Sequence, residues 1–129
     1  MTEKKWIVFQ LLYGLFQLHS KGFTHGDIKP NNVLLSSYNW VFLTDIVPYK
    51  PTFIGEENLK KYNLFFGEME NNLRCYVAPE RFVPSAEEEQ KVIHLLLTIQ
   101  EHQNVTPAMD LFSLGCVIAG RSPVILNCL

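Results

Sequence analysis

HGDIKPNNVLL, residues 25–35, places Asp27 two positions after His25 and five before Asn32, sets Lys29 between them, and runs straight into an apolar stretch. Each residue has an ordinary reading. Asp-x-Lys suits a surface ion pair, and Pro-Asn-Asn suits a turn leading into a strand. Together they also make most of a phosphoryl-transfer site. That chemistry needs a carboxylate to accept or orient the attacking hydroxyl, a cation against the developing charge, and oxygen ligands for Mg2+ on the nucleotide. Asp27, Lys29 and the amide oxygen of Asn32 supply one of each.

Downstream, two short apolar runs, 33–35 and 40–44, flank SSYN, whose serines and asparagine favour a turn. A hairpin there carries a second carboxylate, Asp45, back beside Asn32. Two hard oxygen ligands on adjacent strand ends suit Mg2+, which takes few protein carboxylates and fills its other positions with phosphate and water. The expectation is that the side-chain oxygens of Asp27, Asn32 and Asp45 converge on a shared cavity.

Upstream, TEKKWIVFQLLYGLFQLHSKG (2–22) reads as a helix capped by Thr2 and stopped at Gly22. Glu3, Gln10, Gly14, Gln17 and Lys21 fall on one narrow stripe and nearly everything else from 6 to 18 is apolar, so the helix is expected to be buried on most sides. Residues 45–81 hold several prolines and glycines without clear periodicity and read as a long irregular segment. Helical pattern returns at SAEEEQKVIHLLLTIQEHQ (85–103), where Ser85 and Glu88 have capping-box spacing. It returns again at TPAMDLFSLGCVIAG (106–120), with Thr106 as cap and Pro107 at the first helical position. The second of these is apolar almost all round and is expected to be buried.

At 129 residues, 47% hydrophobic and net charge −2, the chain accommodates one compact unit, 1–129. The balance of charge gives no footprint for nucleic acid. The three cysteines have neither metal nor redox spacing and fit reduced thiols in a cytosolic compartment. The longest apolar stretch falls short of the ~20 residues that span a bilayer, so no transmembrane segment is expected.

HGDIKPNN resembles the catalytic loop of eukaryotic protein kinases, H-R-D-L-x-x-x-N, at its His, Asp and Asn positions. TDIV (44–47) falls where those kinases carry D-F-G, APE (78–80) closes an activation segment, and MDLFSLGCVIA (109–119) is similar to the helix beyond it. SSYNWVFLTD, YKPTF, NLFFG and CYVAPERFV, with glycine after the loop histidine, narrow the resemblance to the kinase-like regulatory subunits of class III phosphatidylinositol 3-kinase, the regulatory subunit 4 family. The resemblance implies an α+β, mainly helical fold: the C-terminal lobe of the kinase fold, as a partial kinase domain. It implies Asp27 as catalytic aspartate, Lys29 as phosphate contact, and Asn32 and Asp45 as the Mg2+ ligands that hold ATP. His25, Glu80 and Asp110 are implied as structural, with Asp110 bonding the catalytic-loop backbone.

The activity implied is serine/threonine protein kinase. The implied setting is the class III phosphatidylinositol 3-kinase complex in autophagy and endosomal or vacuolar sorting. A lipid-kinase catalytic subunit and a coiled-coil autophagy adaptor are the implied partners, and the location is cytoplasmic, peripheral to those membranes. The pattern also departs from the family at large. Gly26 replaces the arginine that receives an activation-loop phosphate, and Ile46 and Val47 replace the Phe and Gly of D-F-G. No Gly-rich loop or V-A-I-K lysine precedes the first helix. A fragment with exposed apolar surface, inactive alone, is therefore expected. The alternative is a catalytically inactive, pseudokinase-like scaffold.

Overall fold

The computed structural model describes residues 2–46, 50–55, 59–67, 75–83, 90, 91, 94 and 105–120. Helix α1 spans Thr2–Ser20. Thr2 therefore lies within the helix rather than ahead of it, and the stop comes where glycine permits it. Gly22 adopts φ 77°, its N–H donates to His19 O at 2.9 Å, and the Phe23 N–H donates to Leu18 O at 3.2 Å. This left-handed cap satisfies carbonyls that the helix end would otherwise leave bare.

A single 3-10 turn, Pro30–Asn32, leads into strand β1, Val33–Leu35, which pairs antiparallel with β2, Val41–Leu43. Val33 faces Leu43 and Leu35 faces Val41. Gln10 fastens the hairpin to α1: its Nε2 donates to Asn39 O at 2.7 Å and its Oε1 accepts the Val41 N–H at 3.2 Å. One member of the polar stripe thus turns inward as a clasp.

The expectation that α1 is buried on most sides is corrected. Ile7, Leu11 and Leu15 are its fully buried side chains, packing with Ile28, Val33, Leu114 and Val117. Phe9, Tyr13 and Phe16 are exposed, Phe16 by 66%. Among the described residues the helix meets the hairpin and the last described helix, and a stripe at i, i+4, i+8 is what that contact covers. On the open side the aromatics pack on one another, with ring centroids 5.9 Å apart for Phe9–Tyr13 and 6.5 Å for Tyr13–Phe16. Exposed apolar surface was expected of the chain, though not on this helix.

Residues 45–81 are not irregular throughout, a second correction. They contain β3, Ile54–Gly55, helix α2, Leu59–Phe66, and a 3-10 turn, Pro79–Arg81, which leads into β4, Phe82–Val83. Tyr62 and Phe66, one helical turn apart, bring their rings to 6.0 Å, and Ile54, Phe66 and Val77 form a second small core. β3 pairs in parallel with β4, Ile54 against Phe82. Such a short non-local pairing has no periodic signature in the sequence.

The last described helix, α3, is Pro107–Ala119. The Met109 N–H donates to Thr106 Oγ1 at 3.4 Å, and the chain leaves at Gly120. Met109, Asp110, Ser113, Leu114 and Val117 are buried, whereas Leu111 and Phe112 are exposed, so all-round burial is corrected here too. Of the helix expected over 85–103, Gln90, Lys91 and His94 are helical and exposed. Ser85, Glu88 and its apolar positions lie outside the described residues.

Candidate active site

The segment 25–32 is held from below by a carboxylate on α3. Asp110 is 1% exposed. Its Oδ2 accepts the His25 N–H at 2.7 Å and its Oδ1 the Gly26 N–H at 2.8 Å. His19 Nε2, from the last turn of α1, lies 2.9 Å from Oδ2. A carboxylate so deep in the protein is stable only with its acceptor sites filled. Two successive N–H groups can address it because Gly26 adopts φ 79°, a conformation that costs glycine little. A Cβ there would also stand 3.2 Å from Val105 Cγ2.

His25 is buried, and its Nδ1 accepts the Asp27 N–H at 3.3 Å, leaving the ring proton on Nε2. Nε2 finds no hydrogen-bond partner among the described residues. Burial pushes the imidazole below its ordinary pKa, against the opposing pull of Asp110 and Asp27, so it is held neutral.

Asp27 is buried beside it. The 3-10 turn folds the loop back, with the Asn32 N–H donating to Lys29 O at 3.0 Å, so that Asn32 Nδ2 donates to Asp27 O at 2.8 Å and Oδ2 at 3.1 Å. Lys29 Nζ stands 3.4 Å from the same Oδ2. Asp27, Lys29 and Asn32 are therefore one cluster. Asp45 is placed next to it by the hairpin: Thr44 donates to Asn32 O from its N–H at 2.9 Å and from Oγ1 at 3.3 Å. Asp45 follows, exposed, at φ 60°. The side-chain contacts that join the other three do not include it. A cavity of about 240 Å³ opens on another side, between α1 and β2, bordered by Gln17, Lys21, Leu43 and Ile46. Neither Asp27, Asn32 nor Asp45 lines it.

The protein kinase domain family matches residues 1–121. The chain belongs to the protein kinase family. It is similar to serine/threonine-protein kinase vps15 of Schizosaccharomyces pombe, 44% identical over 119 residues, or 92% of this chain and 6% of that protein. It is also similar to serine/threonine-protein kinase VPS15 of Arabidopsis thaliana, 42% identical over 119 residues, 92% of this chain and 7% of that protein. VPS15 of Saccharomyces cerevisiae is 40% identical over 118 residues, 91% of this chain and 8% of that protein. The chain thus spans well under a tenth of the length of these relatives.

Two further residues join this cluster and the loop above it, and sequence reading missed both. Lys50 Nζ also contacts Asp27 Oδ2. No local pattern marks it, since it reaches the site across 23 residues. Arg81, 1% exposed, follows Ala78-Pro79-Glu80. Its Nη1 donates to Gly26 O at 2.6 Å, Nη2 to Pro51 O at 2.8 Å and Nε to Thr52 O at 2.9 Å, with Cζ 4.9 Å from the Phe66 ring centre. Burial lowers its pKa, and Asp110 and Asp27 oppose that shift. It ties the loop, β3 and the second core together. Glu80 itself is exposed. An arginine closing a Pro-containing 3-10 turn was the available signal.

Proposed function

We propose that this chain is the C-terminal lobe part of a serine/threonine protein kinase domain that passes the γ-phosphate of ATP to protein hydroxyls. The observation that supports it is the Asp27–Lys29–Asn32 cluster, clamped by Asp110 beneath the loop. Asp27 orients the hydroxyl and takes up its proton. Lys29 faces the transferring phosphate. His25 stays neutral and fixes the Asp27 N–H, and Asp110 fixes the loop.

The donor set suits Mg2+. Asn32 directs its amide nitrogen to Asp27, which leaves Oδ1 as an oxygen ligand, and Asp45 supplies an exposed carboxylate one residue past Thr44. When bound with ATP, Mg2+ neutralises charge on the phosphates. By likeness to the VPS15 proteins, the whole protein serves as regulatory subunit of the class III phosphatidylinositol 3-kinase complex, in autophagy and endosomal or vacuolar sorting. Its partners there are the lipid-kinase catalytic subunit and a coiled-coil autophagy adaptor, and its place is peripheral to those membranes. Among the described residues, no helix is long and apolar enough to cross a membrane.

A second reading, a pseudokinase-like scaffold, is favoured by Lys50 occupying Asp27 and by Gly26 and Ile46 in place of the usual arginine and phenylalanine. The experiment that separates the two is phosphoryl transfer by the full-length protein across a Mg2+ titration, wild type beside Asp45→Asn and Asn32→Ala. A kinase with these ligands needs more Mg2+ in both variants. Identical titrations refute the metal assignment, and no transfer by the wild type at any Mg2+ concentration favours the scaffold.

A further inference from the structure

Three donors reach Asp27 Oδ2: Asn32 Nδ2 at 3.1 Å, Lys29 Nζ at 3.4 Å, and Lys50 Nζ. The first two belong to the loop itself. Lys29 also has a second acceptor, the Phe66 carbonyl, at 3.5 Å. Lys50 comes from a separate segment, and its partners among the described residues are Asp27 and the Phe66 ring, whose centre lies 6.0 Å away. The two partners of this pair are 11% and 4% exposed. A hydroxyl that gives its proton to Asp27 must hydrogen-bond to this carboxylate, and because the three donors all lie on Oδ2 it can do so at Oδ1, beside the Lys50 ammonium.

Once Asp27 takes up the proton, the ammonium loses its counter-charge in a site about nine-tenths closed to water, and an uncompensated buried charge is strongly unfavourable. Lys29 and Lys50 together already carry one positive charge more than Asp27 balances. Asp45, the neighbouring carboxylate, takes no part in these contacts. A neutral acceptor offers the ammonium no counter-charge. An acceptor with carboxylates beside its hydroxyl offers it a new partner as Asp27 becomes neutral.

We propose that Lys50 is a specificity-determining residue: its ammonium beside Asp27 favours peptides whose serine or threonine is flanked by acidic side chains over neutral acceptors. This rests on the reading of Asp27 as the residue that receives the hydroxyl. Lys50 acts by pairing first with Asp27 and then with the substrate's own carboxylate.

The test uses the full-length protein as wild type, Lys50→Met and Lys50→Arg, with two fluorescent peptides that differ only in glutamate or glutamine on either side of one serine. Binding is read by anisotropy, and transfer as kcat/KM for each peptide. The wild type is expected to prefer the glutamate peptide by about tenfold, Lys50→Arg to keep most of that preference, and Lys50→Met to lose it to within about twofold. Equal binding of the two peptides by the wild type, or a preference that survives in Lys50→Met, overturns the proposal. So does a Lys50→Met variant that loses transfer equally for both peptides, which would make Lys50 a phosphate holder. The binding arm does not depend on turnover. If Asp27→Asn transfers as fast as wild type, the kinase reading fails on its own, while the anisotropy ratio still decides the role of Lys50.

Discussion

Asp110 and Gly26 are 84 residues apart in the chain and meet at 2.8 Å, a buried carboxylate oxygen on a backbone N–H. With the neighbouring bond to the His25 N–H at 2.7 Å, this contact fixes where the loop crosses α3, and therefore where Asp27, Lys29 and Asn32 point. The shape of the cluster is set from beneath the loop, by a buried carboxylate on α3.

Replacing Asp110 by alanine strands two buried N–H groups and removes the partner of His19. Charge-assisted hydrogen bonds of this kind contribute about 1.5–3 kcal/mol each, so Asp110→Ala is expected to cost at least about 3 kcal/mol. Asp110→Asn, which keeps one acceptor oxygen, is expected to fall between the two. Denaturant unfolding of all three forms checks the order, and an Asp110→Ala variant as stable as wild type contradicts it.

Gly26→Ala tests the loop from the other side. The left-handed conformation costs a residue with a Cβ about 1–2 kcal/mol, and the contact with Val105 Cγ2 adds to that. A Val105→Ala change made with it should recover the steric part and leave the conformational part. Recovery of all or none of the loss would show that only one of these causes operates.

Arg81→Lys removes the fork that serves three carbonyls at once. A single ammonium cannot span them, and the variant is expected to lose about 2–4 kcal/mol despite keeping its charge. Thermal melting measures this. A change within experimental error would make Arg81 a surplus tie.

His25 gives a pH dependence of known sign. Its folded pKa lies below the ordinary value of 6.5, so the unfolded chain binds the proton more readily. Its contribution to stability is complete above that ordinary value and is lost as pH falls from there through the folded pKa. The wild type should therefore lose melting temperature between pH 7.5 and 5.5 more steeply than His25→Phe, the difference being at most about 1.4 kcal/mol per pH unit. Parallel curves contradict a buried neutral imidazole.

Local features of this site were legible in the sequence. Gly22 ended a helix, Thr106 and Pro107 started one, SSYN turned a hairpin, and the spacing of Asp27, Lys29 and Asn32 survived folding as one cluster. What was hidden depends on partners distant in sequence. Apolar residues report that a helix can be buried, not how many neighbours it has, so the exposure of Phe16 and Phe112 could not be read from periodicity. The pairing of Ile54 with Phe82 has two residues per strand and no alternation to detect. Lys50 and Arg81 bear charges that composition assigns to solvent, yet folding directs them to Asp27 and to three backbone carbonyls.

The central claim is that the Asp27 carboxylate receives the substrate hydroxyl. It is tested most directly by the rate of protein phosphorylation by the full-length protein carrying Asp27→Asn, which keeps the side chain's size and removes its basicity. The account predicts a fall in kcat of about 10²–10⁴-fold with the fold intact. An Asp27→Asn protein that transfers phosphate at the wild-type rate would contradict it.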